Sequence, residues 1–229
     1  MISRKEFALM QDHSILEPNA TKDGVTQRCR ETLEHGLGAT YVNPCWVSYA
    51  KSLLGNRAKV GTVVGFPFGA NTTATKIAEG LECIDNGADK LDVVINISKL
   101  KTGETVYVEK ELRDFVTAMK KRRSDVTVKV IIECCYLTHD EKVAACRIVG
   151  DSGADFIKTS TGTGTGGARI GDIRLMRKLV GDKVKIKAAA QITSIEDALA
   201  VIEEGASAIG ENTAVKLLED FDKQLWSDT

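Results

Sequence analysis

Short apolar, β-branched runs recur along this chain, each spaced from the next by a longer amphipathic stretch, and that alternation restricts its fold more than any other feature. The runs fall at 7–12, 39–43, 60–65, 90–96, 126–133, 154–160, 184–189 and 206–210, with helix-like stretches at 74–86, 105–121, 139–152, 171–180 and 194–204. Several of those stretches end in the same punctuation before the next run: Asn86-Gly87-Ala88-Asp89, Ser152-Gly153-Ala154-Asp155 and Glu204-Gly205-Ala206-Ser207. Glycine there supplies a left-handed helix end, and a small residue then enters the strand. A βα unit repeated every ~25–30 residues is the result. Eight runs of this kind, apolar enough to be buried on both faces, predict a closed parallel (β/α)8 TIM barrel forming one domain over residues 1–229. A doubly wound open sheet is the competing arrangement. In both, functional groups gather at the C-terminal ends of the strands.

Composition removes several classes of function. The 31 basic and 32 acidic side chains leave a net charge of -1, so no polybasic face is expected and nucleic acid is excluded as a partner. Six cysteines without CxxC spacing point to reduced thiols rather than disulfides or zinc, with Cys134 and Cys135 expected on opposite faces of a strand. His13, His35 and His139 have no metal-ligand spacing, so no metal site is expected. No apolar stretch approaches the ~18 residues of a membrane span. Charges at Arg4, Lys5 and Glu6 stand where a signal peptide needs apolar residues, so a cytoplasmic protein without membrane contact is expected.

The strand ends carry Asp12-His13-Ser14, Asn43, Gly65-Phe66-Pro67, Asp92 with Asn96, Glu133, Lys158-Thr159-Ser160, Lys187 and Gly210-Glu211-Asn212-Thr213. Lys158 and Lys187 each interrupt or close a run that should be buried. A single buried lysine is most simply a structural ion pair. Two on consecutive strands, with Asp92 and Glu133 nearby, are different, because mutual repulsion and desolvation both favour a neutral amine, the nucleophile of Schiff-base chemistry. Lys185 shares strand parity with Lys187, but Lys187 lies nearer the C-terminal rim. The glycine-rich run Thr161-Gly162-Thr163-Gly164-Thr165-Gly166-Gly167 can offer backbone N–H groups to an anion. It lacks the Gly-Lys-Ser/Thr end of a P-loop, which argues against a nucleotide.

Taken with Tyr41-Val42-Asn43-Pro44, Val64-Gly65-Phe66-Pro67-Phe68-Gly69-Ala70-Asn71-Thr72-Thr73, Leu91-Asp92-Val93-Val94-Ile95-Asn96 and Phe156-Ile157-Lys158-Thr159-Ser160-Thr161-Gly162, the chain resembles the deoxyribose-phosphate aldolase family. The resemblance implies a class I lyase on a (β/α)8 barrel that needs neither cofactor nor metal. It implies reversible cleavage of 2-deoxy-D-ribose 5-phosphate into acetaldehyde and D-glyceraldehyde 3-phosphate in deoxyribonucleoside catabolism. Carried over by position, Lys158 resembles the Schiff-base lysine and Lys187 the second lysine that keeps it deprotonated. Asp92 resembles the acid/base residue, and Asp12 the carboxylate that orients the network. Ser14, Asn43, Thr161, Gly162, Gln191, Gly210, Asn212 and Thr213 are the implied substrate contacts. A homo-oligomer, a dimer in the first instance, is likewise implied.

Departures from the family pattern concentrate on phosphate binding. The family's Lys-Ala-Ser-Gly-Gly-Ile-Arg-Thr is Lys187-Ala188-Ala189-Ala190-Gln191-Ile192-Thr193-Ser194 in this chain, and its Gly-x-Ser-Ser loop is Gly210-Glu211-Asn212-Thr213. Glu211 adds a negative charge beside the expected phosphate. An aldolase of the same family with a different or unphosphorylated acceptor aldehyde is therefore the alternative expectation.

Overall fold

The computed structural model describes residues 2–227, with side chains described through Gln224. Eight strands, β1 (Gln11–Ile15), β2 (Ala39–Val42), β3 (Val60–Val64), β4 (Lys90–Val94), β5 (Thr127–Ile131), β6 (Phe156–Lys158), β7 (Lys185–Ala189) and β8 (Ala206–Glu211), close into a parallel barrel in sequence order. β8 completes the ring against β1, with Asp12 opposite Gly210. Among the described residues ten α-helices accompany them: α1 (Arg4–Leu9), α2 (Lys22–His35), α3 (Val47–Leu54), α4 (Thr73–Asp85), α5 (Ile97–Lys101), α6 (Thr105–Arg122), α7 (His139–Asp151), α8 (Ile170–Val180), α9 (Ile195–Glu203) and α10 (Ala214–Ser227). The eight-stranded barrel is the architecture that the alternating runs predict. At the repeated punctuation Gly87, Gly153 and Gly205 all have positive φ, as a left-handed helix end requires.

Strand alternation divides the barrel wall in two. One parity, including Leu91, Val93, Val128, Val130, Ile157 and Ile186, joins the apolar core between sheet and helices. The other parity faces the lumen and carries Asp12, Tyr41, Asp92, Lys129 and Lys187, all buried. Barrel interiors are ordinarily filled by branched apolar residues. This one is filled with charge.

Two expectations need correction. Residues 7–9 are helical: Ser3 and Glu6 form a reciprocal capping box at the start of α1, and Phe7 stacks on Phe221 at 4.6 Å between ring centroids. The strand therefore begins only at Gln11. Cys134 and Cys135 lie in a 3-10 turn after β5, not in a strand, with Cys134 buried and Cys135 partly exposed; the six thiols are free. No helix among the described residues is long and apolar enough to cross a membrane.

Candidate active site

Register brings the charged residues together before any loop contributes. Asp92 on β4 is opposite Lys129 on β5, and Lys158 on β6 is opposite Lys187 on β7. Asp92 is fully buried and Lys158 and Lys187 are 3% and 1% exposed. Both lysines donate to the same oxygen: Lys158 Nζ and Lys187 Nζ each lie 2.9 Å from Asp92 Oδ2. Lys187 Nζ also reaches Asp12 Oδ2 at 2.8 Å. Asp12 accepts from Lys129 at Oδ2 as well, and from Lys90 at Oδ1 at 3.0 Å. Tyr41 donates its hydroxyl to Asp92 Oδ1 at 2.8 Å. Gly210 makes this crowding possible, because a Cβ there would stand 2.6 Å from Lys187 Cε.

Two carboxylates thus face four amines in a water-poor lumen. Full protonation would leave uncompensated positive charge, which a low-dielectric interior penalises heavily. Burial, reinforced by Lys187, holds the Lys158 amine below its ordinary value against the pull of Asp92. Burial also lowers Lys129, to about 7, although Asp12 opposes it. Lys187 behaves oppositely: burial disfavours its charge, but Asp12 and Asp92 outweigh burial and raise it. Burial would lift Asp92 and Asp12, yet the surrounding ammonium groups hold both well below the usual carboxylate range. The arrangement is an ionised carboxylate joining one amine disposed to lose its proton and one disposed to keep it.

Above the lumen lies a cleft of about 320 Å³. Six of the sequence-predicted contacts line it: Ser14, Thr161, Gly162, Gln191, Gly210 and Asn212. Asn43 and Thr213 do not. Asn43 donates to the Glu17 carbonyl at 3.2 Å, and Thr213 opens α10 by accepting from Leu217 N–H at 3.0 Å. Glu133, expected beside the lysines, is turned away by a left-handed backbone with φ 52°, and it accepts from Thr161 N–H at 3.1 Å and from the Thr161 hydroxyl. It anchors the glycine-rich loop instead. Lys185 is exposed, with its ammonium 5.8 Å from the Phe156 ring centroid, so depth separates it from Lys187 as expected.

Ala190 and Gln191, which replace two family glycines, keep a backbone suited to glycine, with φ of 68° and 64°. Left-handed backbone costs an L-residue about 1 kcal/mol or more. Flanking bonds hold the turn regardless: Ala168 N–H donates to Ala190 O at 3.0 Å, and Gly167 N–H to Gln191 Oε1 at 3.1 Å. Glu211 folds its own carboxylate onto this turn, where Oε1 accepts from Ile192 N–H at 3.0 Å. Burial raises its pKa above the ordinary glutamate value, while the Ile192 N–H, the charge of Lys158 and the Ala190 backbone oppose the rise.

Sequence reasoning missed Lys129, Lys90 and Tyr41. Lys129 carried the same signal as Lys158, a charge interrupting an apolar run, but at mid-strand. Among the described residues no group of three or more His, Cys, Asp or Glu side chains could hold a metal.

Comparison with known proteins shows the family. Residues 7–223 match the model of the DeoC/LacD family aldolases. A deoxyribose-phosphate aldolase of Caldanaerobacter subterraneus subsp. tengcongensis is 48% identical over 223 residues, 97% of this chain and 96% of that protein. A deoxyribose-phosphate aldolase of a Thermoanaerobacter species is 48% identical over 95% of this chain and 97% of its own length. The tetrameric deoxyribose phosphate aldolase structure from Aeropyrum pernix superposes with a TM-score of 0.89 at 28% identity, covering 97% of this chain and 93% of that one.

Proposed function

The chain belongs to the DeoC/LacD family of aldolases, and from that premise we propose that it cleaves 2-deoxy-D-ribose 5-phosphate reversibly to acetaldehyde and D-glyceraldehyde 3-phosphate through a Schiff base on Lys158. It is a lyase acting on small molecules. The observation that carries the assignment is the shared bond of Lys158 and Lys187 to Asp92 Oδ2 inside the barrel.

Lys158, as the neutral amine, adds to the C1 aldehyde to give a carbinolamine. Loss of water leaves a protonated imine, which draws electrons as the C2–C3 bond breaks. The C3 hydroxyl proton leaves in that step, and the C3–C5 fragment departs as D-glyceraldehyde 3-phosphate. The remaining enamine takes a proton at C2, and hydrolysis of the imine frees acetaldehyde and Lys158. Asp92, bonded to Lys158, moves protons with a water during carbinolamine breakdown and bond cleavage. Lys187 keeps its proton and depresses Lys158, while Asp12 holds Lys187 in place. Ser14, Gly162, Gln191, Gly210 and Asn212 line the space for the sugar and its phosphate. Relatives named for the phosphate ester favour it over an unphosphorylated aldehyde. The pathway fits deoxyribose phosphate catabolism in the cytoplasm. A homo-oligomer, a dimer in the first instance, is part of the proposal; the Aeropyrum pernix relative is described as tetrameric.

Retro-aldol turnover of 2-deoxyribose 5-phosphate beside 2-deoxyribose, read through coupled reduction of acetaldehyde, tests the assignment. A strong preference for the phosphate ester is expected. Equal or reversed rates would contradict the substrate, and no acetaldehyde from either would contradict the reaction.

A further inference from the structure

One large side chain inside the lumen has no part in the scheme above. Tyr41 is 1% exposed and projects from β2 among the charges. Its hydroxyl takes Asp92 Oδ1, the oxygen that the two lysines leave free. Its ring lies 3.8 Å from Lys187 Nζ, measured to the centroid, and 5.4 Å from Lys129 Nζ. The wall is cut to admit that ring. Gly61 is opposite Tyr41 on β3, and a Cβ at Gly61 would stand 2.4 Å from the ring.

We propose that Tyr41 is a positioning residue that decides which of the two lysines sharing Asp92 becomes the nucleophile. This rests on the Schiff-base reading and deepens it. Two amines at 2.9 Å from one carboxylate oxygen are equivalent until something distinguishes them. Lys187 has two further partners that favour its ammonium form, Asp12 at 2.8 Å and the face of Tyr41. Among the described residues, the ion-pair partner of Lys158 is Asp92 alone. The proton therefore settles on Lys187, and the free lone pair falls to Lys158.

The hydroxyl acts separately from the ring. By donating to Oδ1 it fixes the carboxylate plane so that Oδ2 faces both amines. Burial and the two nearby carboxylates push the phenol well above its ordinary value, so Tyr41 stays a donor and does not become a competing anion. The other charged groups around Lys187 come from every side of the barrel. They are Asp12 on β1, Lys90 and Asp92 on β4, Lys129 on β5, Lys158 on β6 and, acting over a longer range, Glu211 on β8. Lys187 shares Asp12 with Lys90 and Lys129, so the contact that Lys187 has, that Lys158 lacks and that no other amine competes for as closely is the face of Tyr41.

Two variants separate the parts. Tyr41→Phe keeps the ring and removes the donor; Tyr41→Leu removes both. Each is read by the pH profile of kcat/KM for 2-deoxyribose 5-phosphate. Each is also read by borohydride trapping with acetaldehyde, followed by mass analysis at both lysines. With the donor gone, Asp92 holds protons on its amines more strongly, so in Tyr41→Phe the acid limb should move up by about 0.5 pH unit and kcat fall about ten-fold. Tyr41→Leu should move the limb up by about 1 unit or more and place part of the adduct on Lys187. A merely structural tyrosine would lower stability without moving the limb or the adduct. If Tyr41→Leu fails to fold, the limb of Tyr41→Phe decides alone. Wild-type limbs in the folded variants, with the adduct confined to Lys158, would overturn the inference. A wild-type enzyme that gives no adduct at either lysine would remove the Schiff-base reading, and the inference with it.

Discussion

The lumen and the rim of this barrel hold charge in opposite ways. In the lumen all four oxygens of Asp12 and Asp92 are met by side chains, namely Lys90, Lys129, Lys158, Lys187 and Tyr41. At the rim the carboxylates lean on main-chain N–H groups, Glu211 on Ile192 and Glu133 on Thr161. The lumen is set by strand register, which fixes where each of its side chains leaves the wall. The rim is set by turns, and its sequence can change while the backbone persists, as Ala190 and Gln191 demonstrate by keeping positive φ. On the proposed Schiff-base reading, reaction type belongs to the lumen and substrate affinity to the rim. Changes in the lumen should act on kcat and on pH dependence, and changes at the rim on KM.

The sharpest attempt to break that division is Lys158→Ala, which should cost on the order of 10⁴-fold or more in kcat while the circular dichroism spectrum stays native. A variant retaining most of the rate would place the chemistry elsewhere. Next is Lys187→Leu. Removing this ammonium takes away a charge that depresses Lys158 and leaves Asp92 Oδ2 to Lys158, and both effects raise the Lys158 amine. The acid limb of kcat/KM should therefore move to higher pH, and an unmoved limb would make Lys187 a purely structural residue.

At the rim, Glu211→Gln keeps an acceptor for Ile192 N–H but removes the charge. KM for 2-deoxyribose 5-phosphate should fall about five-fold, with KM for 2-deoxyribose unchanged. Because Glu211 takes up a proton more readily than an ordinary glutamate, the advantage over wild type should shrink as pH falls. A lower KM for both substrates would mean that Glu211 meets the sugar and not the phosphate. The smallest effect is expected from Ala190→Gly. Relief of the left-handed strain is partly offset by the greater freedom of glycine in the unfolded chain, leaving a gain of about 0.5 kcal/mol in denaturant unfolding. A loss of stability would mean that the Ala190 methyl is packed rather than strained.

The lumen was legible in the sequence wherever a charge closed an apolar run, because desolvation makes such a residue conspicuous. Lys158 and Lys187 stand out that way, whereas Asp92 and Asp12 belong to the polar set at the strand ends and take their roles from the family resemblance. Lys129 breaks the run Val126–Ile132 just as plainly, but at mid-strand, away from the ends where functional groups are expected. Tyr41 stands in one of the motifs that carry the resemblance, but nothing in the sequence marks its place among the amines. An aromatic in a strand is ordinary, and its meaning depends on Gly61 of the next strand and on amines from strands far along the chain. At the rim, glycine spacing indicated where the loops would be but not which way Glu133 would turn, since a left-handed glutamate is decided by tertiary contacts. Phe7-Ala8-Leu9 imitated a strand through three apolar residues in a row, and the capping pair Ser3 and Glu6 was the stronger local instruction.

The account turns on one amine of a bonded pair acting while its neighbour stays charged. Trapping the wild-type enzyme with acetaldehyde and borohydride at neutral pH, then locating the two-carbon adduct by peptide mass analysis, tests this most directly. The account predicts a single adduct on Lys158. An adduct on Lys187, or an equal division between the two lysines, would contradict it.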